Sequence, residues 1–152
     1  MMSTLSLGAP DVAPADDQLL AIALAEEAGS TLMALREELG YADPKALRGA
    51  GDRGAQALLA RRLAAARPDD AVLSEEAADV GVRETASRVW IIDPLDGTRE
   101  YSEEGRTDWA VHVALWERGV LTAGAVALPA RGVTLSTANP PAMPGGRPDG
   151  LR

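Results

Sequence analysis

The stretch from Trp90 to Tyr101, WIIDPLDGTREY, constrains this chain more than any other. It begins with a short apolar run, Val89 to Ile92, whose β-branched and aromatic residues suit a buried strand. Proline has no N–H and restricts the residue before it, so the strand is expected to stop at Asp93-Pro94. Two carboxylates, Asp93 and Asp96, stand three residues apart just ahead of Gly97 and Thr98. Oxygen-rich side chains suit a hard cation such as Mg²⁺, and backbone N–H groups at a helix start suit phosphate. The same residues allow a plainer reading, because Asp-Pro and Asp-Gly are ordinary turn pairs and Asp96 could cap a helix starting at Gly97.

Composition narrows the chemistry. The chain of 152 residues has no cysteine and one histidine, which excludes disulfides, thiolate sites, a cysteine nucleophile and the usual zinc centre. Carboxylates, hydroxyls and backbone groups must therefore carry any reaction. A net charge of −8 without a dense Lys/Arg patch argues against a nucleic-acid polymer as partner. It does not argue against an anionic substrate, because bound divalent cations reverse the local sign. No stretch reads as a membrane span and residues 1–15 lack a secretion signal, so no membrane partner is expected and the default location is cytoplasmic.

Read in order, residues 1–15 form a loose N-terminus rich in Ser, Ala, Gly and Pro. Leu20, Leu24, Ala28, Leu32, Leu35 and Leu39 recur at helical steps, with Glu26, Arg36 and Glu37 mostly off that stripe. Asp16 or Asp17 starts this helix and Gly40 ends it. Tyr41 to Ala50 reads as a polar connection, and a second helix is expected from about Arg53 to Arg67, with Asp52 as its cap and Pro68 as its stop. Ala71 to Ser74 is a short strand leading into Glu75-Glu76, and 77–87 is a polar loop. After the central strand and a loop at 103–108, Val111, Val113 and Leu115 alternate with Ala110, His112, Ala114 and Trp116 in a hairpin. Arg118-Gly119 makes its turn, Val120 to Leu128 returns, and Val133 to Thr137 adds a strand. The fold class is α+β: two N-terminal helices packed on a largely antiparallel sheet, spanning residues 16–137. Residues 138–152, with four prolines and three glycines, form a Pro/Gly-rich tail.

Glu75, Glu76 and Asp52 are the further acids that could join Asp93 and Asp96. If the strands ending at Glu75 and Asp93 lie side by side, three carboxylates converge, enough to share two divalent cations; otherwise the glutamates are solvated surface. His112 could be a base, but its alternating strand favours a packed, hydrogen-bonded sheet histidine. Trp90, Trp109 and Trp116 read as packing residues.

Leu73-Ser74-Glu75-Glu76 followed by Trp90 to Thr98 resembles the inositol monophosphatase superfamily of magnesium-dependent, lithium-sensitive phosphatases. Arg99-Glu100-Tyr101, Ala71 to Glu76 and Asp108 to His112 resemble its branch of CysQ-type 3'(2'),5'-bisphosphate nucleotidases. The resemblance implies an N-terminal half of that α/β sandwich, running to about Val133. It also implies two or three Mg²⁺ ions held by Glu75, Asp93, the Leu95 carbonyl and Asp96. Asp96, Gly97, Thr98 and Arg99 would meet the substrate phosphate, while Asp52, Thr98 and Glu75 would serve catalysis by activating a water. The implied substrate is a small phosphorylated molecule, adenosine 3',5'-bisphosphate first, with inositol 1-phosphate or fructose 1,6-bisphosphate as the rivals within the superfamily. A non-catalytic remnant that binds metal or phosphate is the rival outside it. Full members carry a second half with a Trp-Asp motif that does not follow Val133 here, so impaired activity, an uncovered apolar face and possible homo-oligomers are expected.

Overall fold

The computed structural model describes residues 16–74 and 86–139. Glu75, Glu76, most of the 77–87 loop, residues 1–15 and the tail beyond 139 lie outside the described residues.

Helix α1 (Asp17–Leu39) starts where the Asp16 carboxylate accepts the Gln18 N–H at 2.7 Å, and stops at Gly40, whose positive φ of 70° lets its N–H reach the Arg36 carbonyl. Both ends follow the sequence reading. The buried stripe is Leu20, Leu24, Ala28, Leu32 and Arg36, so Arg36 lies on the stripe rather than off it. It sits four residues after Leu32, one helical step further along the same face. By length and composition alone α1 would suffice to cross a bilayer, contrary to the expectation from sequence, but it packs as a core helix against the sheet.

Helix α2 (Pro44–Ala66) begins nine residues earlier than the expected Arg53. Asp43 is the cap, accepting the Ala46 N–H at 3.1 Å, and Pro44 occupies the first position, where a missing N–H costs nothing. Pro44 and Gly49, which fall in the stretch read from sequence as a connection, both lie inside the helix. Asp52 is therefore not a cap; it stands mid-helix.

The sheet runs β1 (Ala71–Ser74), β2 (Arg88–Asp96), β3 (Ala110–Glu117), β4 (Val120–Leu128) and β5 (Val133–Ser136), paired in that order. Only β1 and β2 are parallel, from Ala71↔Val89 to Ser74↔Ile92; the other pairs are antiparallel. Strand β2 does not stop at Asp93-Pro94 as expected but runs on to Asp96. A one-turn helix α3 (Thr98–Tyr101) follows, and a 3₁₀ turn (Pro129–Arg131) links β4 to β5. The β3–β4 turn takes positive φ at both Arg118 (51°) and Gly119 (91°), as a two-residue hairpin of matching twist requires.

Alternation along the strands separates two faces. Trp90, Ile92, Val111, Val113, Leu115, Ala123, Ala125 and Ala127 pack with α1 and α2 into one core. The other face carries the cross-strand rows Ile91–Ala114–Gly124 and Asp93–His112–Val126–Leu135, all half-buried apart from an exposed edge. Along it His112, Ala114, Val126 and Leu135 line an open, mostly apolar cavity of about 450 Å³. At the far end of the sheet Arg88 joins Asp70 (3.0 Å), Asp17 (3.1 Å) and Glu117 (3.1 Å), and Asp70 also accepts the Trp90 indole N–H at 2.9 Å.

Candidate metal centre

The β2–β3 ladder is regular from Arg88↔Glu117 to Asp93↔His112, then shifts so that Asp96 faces Ala110. Three residues advance on β2 against two on β3, which is a one-residue bulge. It falls at Pro94-Leu95, where proline has no ladder hydrogen bond to lose. The bulge turns Leu95 inward, 4% exposed in the core, and Asp96 outward beside Asp93. Asp93, Asp96 and His112 thus share one patch, with potential ligand atoms all within 4.8 Å of one another. His112 Nε2 lies 2.9 Å from Asp96 Oδ2. Asp96 does not cap α3; the cap position is Gly97, in the left-handed region at φ 87° and without a side-chain cap bond.

Gly97 is required sterically as well as by its φ. A Cβ there would come within 3.1 Å of the Asp108 carbonyl and 3.2 Å of the Trp109 Cα. Thr98 opens α3, and its hydroxyl sits 3.5 Å from the Leu95 carbonyl. The first hydrogen bond of the turn is donated by the Tyr101 N–H to Gly97, so the N–H groups of Thr98, Arg99 and Glu100 precede it.

Tyr101 locks this turn into the core. Its O–H donates to the Leu32 carbonyl at 2.6 Å, its ring meets Trp109 edge-on at 4.9 Å, and burial pushes the phenol up to about 12. The charge of Arg36 opposes that rise, while Tyr41 and Asp52 add to it. Arg36 is 7% exposed and holds the segment after the motif: its guanidinium donates to the carbonyls of Tyr101 (2.8 Å), Glu100 (3.3 Å), Glu103 (3.0 Å) and Arg106 (2.9 Å). The same group stacks among Tyr41, Tyr101 and Trp109, with centroid distances of 5.4, 5.4 and 5.0 Å.

The sequence-predicted residues therefore fall into four groups. Asp93, Leu95, Asp96, Gly97 and Thr98 stand together at the bulge. Asp52 lies in α2 next to Gly51, which abuts Tyr101 and Leu95, and its charge reaches Tyr101, but it is not in the group formed by Asp93, Asp96 and His112. Arg99 pairs with Glu103 at 3.5 Å and its side chain is 83% exposed. Glu75 lies outside the described residues, though β1 leaves the sheet beside the end of β2 that bears Asp93. His112 was placed among packed sheet residues; it is hydrogen-bonded as expected, but to Asp96 and on the site face. The signal was present in the alternation, which sets His112 opposite to Val111 and Val113.

The donor set fits a hard divalent cation. Two carboxylates and a nearby main-chain carbonyl are oxygen ligands of the kind Mg²⁺ prefers, and His112 is placed to orient Asp96.

Comparison with known proteins agrees with this geometry. The inositol monophosphatase family model matches residues 17–141, and the chain belongs to that family. It is 56% identical over 148 residues to the 3'-phosphoadenosine 5'-phosphate phosphatase of Mycobacterium leprae (strain TN), covering 90% of this chain and 55% of the relative. Identity to an inositol-1-monophosphatase of the same organism is 35% over 135 residues, covering 78% of this chain and 46% of that protein. Among solved structures it resembles CysQ from Bacteroides thetaiotaomicron, with a TM-score of 0.66 and 27% identity over 83% of this chain and 47% of that one. The chain thus spans about half the length of the relatives it matches.

Proposed function

We propose that this chain supplies the metal- and phosphate-binding half of a Mg²⁺-dependent phosphomonoesterase that removes the 3'-phosphate of a nucleoside 3',5'-bisphosphate. The convergence of Asp93, Asp96 and His112 at the bulge, directly ahead of Gly97-Thr98, carries the reading. The higher identity to a 3'-phosphoadenosine 5'-phosphate phosphatase than to an inositol-1-monophosphatase supports the substrate class.

In this reading Glu75, Asp93, the Leu95 carbonyl and Asp96 hold Mg²⁺. Bound there, the cations supply charge for the phosphoryl oxygens and lower the pKa of water. His112 keeps Asp96 turned toward its neighbours through the 2.9 Å contact. The amides at the start of α3 and the side chain of Arg99 face the phosphate, for which Arg99 must exchange its exposed partner Glu103. Asp52 and the Thr98 hydroxyl would orient the attacking water, whose proton would pass to the Asp52 carboxylate through the Thr98 hydroxyl, which gives up its own proton as it accepts the water's.

Calorimetric titration with Mg²⁺ tests the assignment. Asp93→Asn is expected to weaken Mg²⁺ binding at least about tenfold, because a carboxylate ligand to a hard cation is replaced by a neutral amide. Equal affinity in the two proteins refutes the metal site. Phosphate release from adenosine 3',5'-bisphosphate exceeding that from inositol 1-phosphate is the result expected of the substrate assignment; the reverse order overturns it.

A further inference from the structure

A second cavity of about 400 Å³ adjoins the metal centre, sharing Asp96 and His112 with it. Asp96, Gly97, His112, Trp109, Leu128 and Arg131 are among the residues that line it. Arg131 is the one arginine or lysine among the described residues lining it. Asp108 also lines it; Arg106 donates to it from Nε to Oδ1 at 2.9 Å and forms a second bond through Nη2, and the charge of Arg131 also acts on this carboxylate.

Arg131 is mounted rigidly for a surface residue. It ends the 3₁₀ turn whose first residue, Pro129, has a fixed φ, and the turn closes through Gly132 N–H to the Pro129 carbonyl at 3.1 Å. Pro129 is seated on α1 so closely that a Cβ at Gly29 would lie 2.6 Å from its Cγ. On its other side Arg131 Nε donates to the Thr107 hydroxyl at 3.1 Å, which ties the turn to the loop that follows α3. Nε is thus spent on Thr107, and the terminal nitrogens of a planar fork held at its base are what a phosphate oxygen pair requires.

We propose that Arg131 binds the second phosphate of the substrate, so that the cavity selects nucleoside bisphosphates over monophosphates. The cluster at Asp93 and Asp96 receives the phosphate to be removed, the cavity takes the nucleoside, and Arg131 receives the phosphate that stays. This assignment rests on the phosphatase reading above and adds to it the source of substrate selectivity.

Calorimetry with adenosine 3',5'-bisphosphate and with adenosine 3'-monophosphate, each in Mg²⁺, tests it on the full chain and on Arg131→Gln and Arg131→Lys. Loss of one charge-assisted contact is expected to weaken the bisphosphate about 10- to 100-fold in Arg131→Gln and to leave the monophosphate unchanged. Arg131→Lys is expected to recover part of the loss, as a point charge without the fork. Unchanged bisphosphate binding in Arg131→Gln, or equal losses for both nucleotides, overturns the role of Arg131 and leaves the phosphatase reading standing. Binding of neither nucleotide by the unsubstituted chain overturns both.

Discussion

Replacing Gly51 by alanine sets two effects of known size against each other. Inside a helix, alanine is favoured over glycine by about 0.8–1 kcal/mol. At position 51 the new methyl would lie 2.7 Å from Tyr101 Cε2 and 3.2 Å from both Leu32 Cδ2 and Leu95 Cδ2. Tyr101 has nowhere to go: it is fully buried, bonded to the Leu32 carbonyl at 2.6 Å and packed edge-on against Trp109. Forcing a methyl into such a site costs about 1–3 kcal/mol, and displacing the phenol forfeits a hydrogen bond of about 1 kcal/mol besides. The clash wins, and Gly51→Ala is expected to lower stability by about 1–3 kcal/mol net. Gly49→Ala, in the same helix, meets only the end of the flexible Arg53 side chain at 3.0 Å and is expected to gain about 0.5–1 kcal/mol. Urea unfolding followed by fluorescence of the buried Trp90 and Trp109 measures both. A Gly51→Ala protein as stable as the parent would show that α2 does not rest on Tyr101 in this way.

Two further outcomes are expected. Arg36→Met removes donors from four carbonyls of the segment after the motif and is expected to cost about 3–5 kcal/mol in urea unfolding, with Arg36→Lys restoring less than half because it lacks the planar fork; a cost below about 1 kcal/mol would refute the anchoring role. Stability is expected to fall at both pH extremes. Tyr101 stays protonated up to about 12 when folded, so its contribution is intact below the ordinary phenol value near 10 and is lost as pH rises through about 12, a loss that Tyr101→Phe abolishes. Burial raises Asp17, but hydrogen bonds and charge from Arg88 and Arg67 outweigh it and hold the carboxyl below its ordinary value. That contribution is present above the ordinary carboxylate range and lost as pH falls through the folded value; pH-dependent melting of Asp17→Asn, flattened on the acid side, is the check.

Where local chemistry and tertiary packing agreed, the chain was legible. Asp16 and Gly40 bound α1 because capping is decided within a few residues, and Arg118-Gly119 marked its turn for the same reason. The start of α2 was not legible, because Pro44 and Gly49 look like loop residues; at Gly51 what sets the residue is a partner fifty positions away, Tyr101. Arg36 was misplaced on similar grounds. A charged residue on an apolar stripe reads as an edge until the four carbonyls it serves, 64 to 70 residues further on, are brought beside it. The acids of the site were named from sequence, yet their convergence with His112 depended on strand register, which no local pattern states.

That register also explains the spacing of the motif. Successive side chains on a strand point to opposite faces, so acids three apart, like Asp93 and Asp96, belong on opposite sides of a regular β2. One would stand on the site face beside His112 and the other would be buried in the aliphatic core, at a cost of several kcal/mol for an unpaired charge. The single extra residue at Pro94-Leu95 restores parity, which is why Asp93 and Asp96 share a face while Leu95 between them is buried. A Pro at this point suits the bulge because it offers no N–H for the ladder to lose. Reading Asp93-Pro94 as a strand terminus was therefore the natural error. Proline does interrupt the ladder there, but as a one-residue correction that carries the strand on to deliver Asp96 and, one residue later, the left-handed Gly97 that starts α3.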